Sequence, residues 1–273
     1  MRFMDESKSS QHLDALEAQA IHIVREAHAR LKPLALLWSA GKDSNVLLWL
    51  ARKAFLGRVP FPCVLLDTGD EFPEIYALRD ELARRFDLDC VAAACPPIED
   101  TDPSLPDAAR AAQRKTFGLA RFVRERGIAG LLLGIRADEQ AVRAKEPYAS
   151  PRDAAGSWDP LSQPPELWGH YAMDVPPGGH VRVHPIVEWT ERDIWRYIAR
   201  EAVPVASLYF ARDGRRYRTV GEKSITRPIV SDAADIDAIL SELATTTDPE
   251  RAGRVMDHER EDAFERLRAG GYM

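Results

Sequence analysis

Residues 34–50 constrain the fold of this chain more than any other segment. They join an apolar, strand-like stretch, Ala35-Leu36-Leu37-Trp38, to a short polar turn at residues 39–44 and then to an apolar, helix-like stretch. In such a turn the N–H groups at the helix N-terminus can point at an anion, Gly41 permits close approach of a ligand, and Lys42 adds positive charge. No glycine stands five residues before Gly41, so the turn is not a Walker loop. The segment therefore predicts a different kind of phosphate cradle.

An ordinary strand-to-helix turn is the alternative interpretation of the same residues. In that case Ser39 or Asp43 caps the helix and Lys42 is solvated. The six residues alone leave both interpretations open.

The remainder of the chain alternates between strand-like and helix-like segments, which predicts an α/β fold. Helices are predicted near residues 13–31, 44–54, 73–86 and 108–126, and strands near 62–68, 88–93, 129–135 and 180–186. Parallel strands need long crossover connections, so this alternation predicts a parallel twisted sheet with helices on both faces. Ligands of such sheets bind at the carboxyl ends of the strands, and polar residues do follow the strands, at 39–44, 67–69 and 136–139.

The regular pattern disappears between residues 137 and 177, where Pro, Asp, Arg, Gly and Trp are frequent. A long loop of this composition is typical of a segment that covers a site or contacts a partner. We therefore predict a nucleotide-binding α/β domain at 1–200, which includes the N-terminal helix and this loop. A C-terminal irregular and helical extension at 201–273, with helices near 233–245 and 257–269, would complete the site and offer a partner surface.

Composition excludes several classes of function. The chain has 37 Lys and Arg against 43 Asp and Glu, a net charge of −6, which argues against general electrostatic binding of nucleic acid. Its three cysteines, Cys63, Cys90 and Cys95, have no metal-ligand spacing. The N-terminus is polar, and no apolar stretch approaches the roughly 20 residues that span a bilayer. We expect a cytoplasmic protein with reduced thiols and no membrane association.

A family resemblance runs along nearly the whole chain. The residues that carry it are Ser39-Ala40-Gly41-Lys42-Asp43-Ser44, Pro60-Phe61-Pro62, Asp67-Thr68-Gly69, Gly134-Ile135-Arg136-Ala137-Asp138-Glu139, Trp158-Asp159-Pro160, Val181-Arg182-Val183-His184-Pro185-Ile186, Trp189-Thr190-Glu191-Arg192-Asp193-Ile194-Trp195, Tyr217-Arg218-Thr219-Val220-Gly221 and Glu250-Arg251-Ala252-Gly253-Arg254. The first of these resembles the signature of the PP-loop ATP pyrophosphatases. The full set resembles the small subunits of bacterial sulfate adenylyltransferases, in the phosphoadenylylsulfate reductase branch of that family.

The resemblance implies an adenine nucleotide alpha hydrolase-like fold and adenylyl transfer from ATP to sulfate, with adenylyl sulfate and pyrophosphate as products. Sulfate is already an anion, so catalysis would consist of positioning and charge neutralisation, without a covalent nucleophile. The resemblance also implies ATP and Mg²⁺ as ligands and a GTPase large subunit as partner. This chain has no Walker loop of its own, so any GTP that is used would be bound by another polypeptide. A homo-oligomer stays open.

Three groups of residues are candidates for the site. The loop residues Ser39, Ala40, Gly41, Lys42, Asp43 and Ser44 would bind phosphates; Asp67, Thr68 and Gly69 would lie near the nucleotide; and Gly134, Arg136, Asp138 and Glu139 follow the fourth strand. We assign catalytic roles to Lys42, Arg136 and Arg218, the last as a ligand for sulfate or pyrophosphate. We expect Lys42→Ala to abolish turnover and leave the fold intact.

Simpler roles stay open for most of these residues. Asp43 would either bind magnesium, through a water, or cap the helix, and Asp67 could be an ordinary turn aspartate. The residues after the fourth strand could form a solvated charged loop, and the basic stretch that contains Arg218 could be solvated as well. His184 is more typical of a structural residue than of a catalytic one.

Three alternative functions are compatible with the fold. An adenylyl sulfate reductase would use a cysteine near the C-terminus, and here the last cysteine is Cys95. A PP-loop enzyme that adenylates, or inserts sulfur into, another acceptor would share the loop and differ elsewhere. A non-catalytic nucleotide-binding subunit would not turn over ATP.

Overall fold

The predicted alternation of helices and strands is present in the computed structural model, which describes residues 2–140 and 143–253. The helices are α1 (Arg2–Arg30), α2 (Lys42–Ala54), α3 (Pro73–Phe86), α4 (Asp107–Arg126), α5 (Glu191–Glu201) and α6 (Ile236–Leu243). The main sheet contains β1 (Leu34–Leu37), β2 (Cys63–Asp67), β3 (Cys90–Ala94), β4 (Gly130–Leu132), β5 (Ala149–Arg152) and β6 (His180–Val183), and a small second sheet pairs β7 (Arg215–Arg216) with β8 (Ile229–Val230).

The order of strands in the main sheet is β3-β2-β1-β4-β6-β5, and each neighbouring pair is parallel except β5 with β6. From β1 the chain first builds β2 and β3 on one side and then crosses to β4 and β6 on the other. The order therefore reverses between β1 and β4. In open α/β sheets this switch point is where ligands bind, because the loops after the two strands diverge and leave a crevice.

Side chains of β1 alternate between two buried clusters on opposite faces of the sheet. Leu34 and Leu36 belong to the larger cluster, together with residues of α1, α2 and α5. Ala35 and Leu37 belong to the smaller cluster, which includes residues of α4. A strand that is covered on both faces has to be apolar at every position, and this explains the uninterrupted apolar run. The prediction of an α/β fold with helices on both faces is confirmed.

The region predicted as a long loop contains a strand that the sequence pattern did not indicate. β5 carries Pro151 and Arg152, and such a strand is tolerated at a sheet edge, where one side makes no ladder hydrogen bonds. Arg152 is buried and donates to the buried carboxylate of Glu146 at 2.8 Å. Elsewhere the described residues of this region form short 3-10 turns and irregular backbone.

The first and the last predicted helices are compared with the structure separately. Helix α1 already begins at Arg2, whereas the apolar periodicity that predicts it starts only at Leu13. The helix predicted at 257–269 lies outside the described residues. Between residues 2 and 253, apart from 141 and 142, none of the helices combines the length and the apolar character that crossing a membrane requires.

Candidate active site

The polar turn links the end of β1 to the start of α2 and is held by its own side chains. Trp38 Nε1 donates to Asn45 Oδ1 at 2.7 Å, and Ser44 Oγ donates to the carbonyl oxygen of Gly41 at 3.0 Å. The Oγ atoms of Ser39 and Ser44 lie 3.2 Å apart. None of the turn's own side chains caps the N-terminus of α2, whose preceding residue is Gly41. The geometry therefore differs from the capped turn that was the simpler interpretation.

Gly134 lets the end of β4 approach this turn closely. A Cβ atom at this position would lie 3.1 Å from the backbone N of Ser44 and 3.2 Å from the carbonyl oxygen of Asp43. These distances are tighter than ordinary van der Waals contact, and both atoms belong to the first turn of α2. The role of Gly134 is thus to bring β4 against the turn.

Lys42 and Arg136 form the centre of a buried ionic network. Lys42 is 1% exposed and donates to Asp43 at 3.1 Å and to Glu250. Arg136 is fully buried and donates to Asp43 and Glu250, and through Nε to Asp138 at 3.0 Å. Each oxygen of Glu250 accepts from a different cation, Oε1 from Lys42 and Oε2 from Arg136. Glu250 therefore links the turn after β1 to the segment after β4.

The pKa values in this network are set by competition between burial and charge. Burial favours the neutral form of Lys42, but the negative charges of Asp43 and Glu250 outweigh it, so the pKa of Lys42 lies above its usual value. Burial likewise favours the neutral form of Glu250, but Arg136 and Lys42 hold the pKa of its carboxyl below its usual value. Lys42 and Glu250 are therefore both charged at neutral pH.

Glu139 anchors a second part of the network. It accepts from Arg143, four residues along the chain, and from Arg251 at 2.8 Å. Burial opposes its ionisation, but Arg143 and Arg251 lower the pKa of its carboxyl. Glu250 and Arg251, which are adjacent in sequence, thus bind opposite charges of the site and dock the turn at Glu250–Gly253 against it.

A cavity of about 230 Å³ opens at the carboxyl ends of β1, β2 and β4, beside this network. Its walls include the predicted residues Ser39, Gly41, Lys42, Asp43, Ser44, Gly134 and Glu139. An apolar part of the wall is formed by Leu37, Val64, Leu66, Ala112, Leu133 and Ile135, and a basic part by Lys115, Arg143, Arg182, His184 and Arg251. Such a cavity can hold a ligand with an apolar body and an anionic end.

The other predicted residues lie outside the cavity wall. Ala40 has a positive φ of 56° and forms the turn itself. Asp67 accepts from Gly69 N at 2.9 Å and from Tyr76 Oη at 2.7 Å, while the Thr68 carbonyl accepts from Arg114. These contacts match the turn aspartate that was the simpler interpretation.

A neighbour of this turn does line the cavity. The carboxylate of Glu71 pairs with Lys115 at 3.0 Å, and Lys115 also pairs with Glu222 at 3.1 Å. Glu222 lies in the C-terminal region, so this ion pair joins that region to α4 and to the loop after β2.

The basic residues of 212–227 do not gather in one patch. Arg216 pairs with Glu242 at 2.6 Å, whereas Arg218 pairs with Glu191 at 2.8 Å and donates to the Asp248 carbonyl at 2.8 Å. Both arginines are buried. They support the C-terminal region, and Arg218 is not part of the cavity wall.

Asp138 and His184 hold elements together. Asp138 accepts from Arg136 and, at 2.7 Å, from the backbone N of Glu191 at the start of α5. His184 is buried, and its Nδ1 lies 2.7 Å from the carbonyl oxygen of Pro147. Its contact with this carbonyl matches the structural role predicted for it.

The residues of the described chain do not form a metal site by themselves. No group of three His, Cys, Asp or Glu side chains converges there. The two carboxylate oxygens of Asp43 accept from Arg136 and Lys42, so this side chain is already engaged by cations.

Sequence reasoning missed Tyr209, Lys115, Glu250 and Arg251 as residues of this region. The signal was present for the last two, since Glu250-Arg251 lies in a segment that carries the family resemblance. Tyr209 gave no pattern to follow, because its contact with Lys42 joins positions 167 residues apart in the chain.

Comparisons with known proteins identify relatives of this chain. A model of the phosphoadenosine phosphosulfate reductase domain matches residues 33–228. Sulfate adenylyltransferase subunit 2 of Rhizobium meliloti is 40% identical over 96% of this chain and 93% of its own length, and that of Nocardia farcinica is 38% identical over 98% of both. Among solved structures, Candida glabrata FMN adenylyltransferase in complex with ATP superposes with a TM-score of 0.56 at 16% identity, over 90% of this chain and 88% of that one. The last likeness concerns the fold alone.

Proposed function

This chain belongs to the phosphoadenosine phosphosulfate reductase domain family, in its sulfate adenylyltransferase subunit 2 branch, and we propose that it transfers the adenylyl group of ATP to sulfate. The observation that carries the proposal is the turn at 39–44, which none of its own side chains caps, beside a cavity whose wall has an apolar part and a part that carries basic residues. The apolar wall suits the adenine base. The helix N-terminus and the basic residues suit the phosphates and the sulfate.

In the proposed reaction a sulfate oxygen attacks the α-phosphorus of ATP, and the bond from that phosphorus to the bridging oxygen breaks to release pyrophosphate. No base is needed because sulfate is already ionised, so the site has to align two anions and offset their repulsion. We assign the phosphates to Lys42, Ser39 and Ser44. Arg136 is buried outside the cavity wall and would act on the phosphates through its charge. A phosphate that reaches Lys42 has to displace the carboxylate of Glu250.

The cysteines argue against a reductase. A reductase of this family would need a reactive thiolate, whereas none of the three free thiols lines the cavity. Burial raises the pKa of Cys95 to about 11, so this thiol is protonated at neutral pH.

Two further parts of the proposal concern ligands and partners. Mg²⁺ would arrive bound to the phosphates of ATP, since this ion is usually held by substrate phosphates with few protein ligands. Formation of adenylyl sulfate from ATP is energetically uphill, and a GTPase large subunit would couple this reaction to the hydrolysis of GTP.

We also propose a cytoplasmic location, where three free cysteines would stay reduced.

One assay tests this function. The chain is purified alone and together with the proposed GTPase large subunit and is supplied with ATP, sulfate and GTP, and pyrophosphate and adenylyl sulfate are measured. We expect pyrophosphate release to depend on sulfate. Pyrophosphate that appears without any dependence on sulfate would instead indicate another acceptor, and no ATP turnover in any mixture would indicate a non-catalytic subunit.

A further inference from the structure

Tyr209 brings a hydroxyl group from the C-terminal region to the phosphate-binding turn. It ends a 3-10 turn at Ser207–Tyr209 and is 1% exposed. The backbone N–H of Lys42, the first residue of α2, donates to Tyr209 Oη at 3.0 Å. A Cβ atom on Gly41 would lie 3.5 Å from the same oxygen. The hydroxyl therefore lies directly against the turn, in the wall of the cavity.

This hydroxyl uses only half of its hydrogen-bonding capacity. A tyrosine hydroxyl can accept and donate at the same time. Oη accepts from the backbone N–H of Lys42, and among residues 2–140 and 143–253 its own proton makes no hydrogen bond. A donor that is buried, unpaired and located at a cavity wall points to a ligand that supplies the acceptor.

The ring holds the hydroxyl in place. It packs edge-on against Trp195, with the ring centroids 5.7 Å apart, and Lys42 Nζ lies 5.8 Å from its centroid. Burial raises the pKa of Tyr209 to about 12, although the charge of Lys42 opposes this, so the proton stays on the oxygen at neutral pH.

We propose that Tyr209 is a further phosphate-binding residue. Its hydroxyl accepts a hydrogen bond from the Lys42 N–H and donates one to a phosphate oxygen of the nucleotide. The N–H is at the positive end of α2, so it polarises the hydroxyl and strengthens its donation to an anion. Tyr209 thus extends the helix N-terminus by one hydrogen bond into the cavity. The inference rests on the proposed function in that it requires ATP as the ligand.

The test compares Tyr209→Phe with Tyr197→Phe. Both substitutions remove the hydroxyl of a buried tyrosine, but Tyr197 donates to Glu17 on α1 and is not in the cavity wall. Binding of ATP and of adenosine is measured by calorimetry, and the kcat/KM for ATP by pyrophosphate release.

For Tyr209→Phe we expect ATP affinity and kcat/KM to fall about 10- to 100-fold, the range for losing one hydrogen bond to a charged group, with adenosine affinity unchanged. For Tyr197→Phe we expect ATP and adenosine affinities that match the unmodified chain. An equal loss of ATP and adenosine affinity in Tyr209→Phe would overturn the inference, because it indicates a structural role. Unchanged ATP affinity would overturn it as well.

The two proposals fail in distinguishable ways. If the unmodified chain binds ATP but releases no pyrophosphate in response to sulfate, the proposed acceptor is wrong and the calorimetric comparison still decides the role of Tyr209. If the unmodified chain does not bind ATP, both proposals are wrong.

Discussion

The ion pair between Lys42 and Glu250 makes a prediction that can be worked through from the structure. Lys42 is 1% exposed and the Glu250 side chain 3%. Removing one partner of a buried pair leaves the other charge without full compensation and costs about 3–5 kcal/mol. After Lys42→Met, Glu250 still accepts from Arg136, so we expect the lower end, about 3 kcal/mol. For a chain of this size that corresponds to a fall in Tm of about 6 °C.

This expectation revises the one made from the sequence, in which substituting Lys42 leaves the fold intact. The cleaner probe is a double-mutant cycle of Lys42→Met, Glu250→Gln and both together, with the free energy of unfolding measured in urea. Because the double variant removes both charges, its loss should be smaller than the sum of the single losses by about 1–3 kcal/mol. Turnover should be absent in both variants that lack Lys42. Losses that add to within about 0.5 kcal/mol would refute the pairing.

Three other predictions follow from the same contacts. Glu250→Gln should lower the KM for ATP, since a phosphate then displaces a neutral amide from Lys42; a higher KM would show that the carboxylate assists binding. Gly134→Ala should destabilise the fold by about 1–3 kcal/mol and weaken ATP binding, because its Cβ presses on Ser44, and calorimetry and thermal unfolding would measure both effects. The lowered pKa of Glu139 contributes stability above its unfolded value of 4.5 that is lost as the pH falls below it, so Tm in Glu139→Gln should depend less on pH in the acidic range, and an unchanged dependence would contradict this.

Much of the fold could be predicted because the relevant signals are local. A strand buried on both faces reads as a continuous apolar run, and a helix with one buried face reads as a repeat near 3.6 residues. β1, α2, α3 and α4 were predicted in this way within a few residues of their bounds. β5 was missed because its burial depends on an ion pair and on pairing with β6, and neither appears in a pattern of four residues.

The residues of the candidate site were likewise predictable only where the signal in the sequence is local. The turn at 39–44 could be placed from sequence, since its residues are contiguous and its chemistry depends on a helix N-terminus. The residues after β2 and β4 were correctly expected at the carboxyl ends of the strands. The sequence could not tell that Glu71 lines the cavity while Asp67 supports a turn.

By itself the sequence determined the type of fold, the presence of a phosphate-binding turn and membership of a family, because each depends on the order and spacing of nearby residues. Only the tertiary structure decided which charges meet. Glu250 lies 208 positions from Lys42 and Tyr209 lies 167 positions from it, yet both contact it. Such contacts exist because folding brings the C-terminal region against the switch point of the sheet. Burial there makes an unpaired charge or hydroxyl energetically unfavourable, so these groups are stabilised by partners from distant parts of the chain.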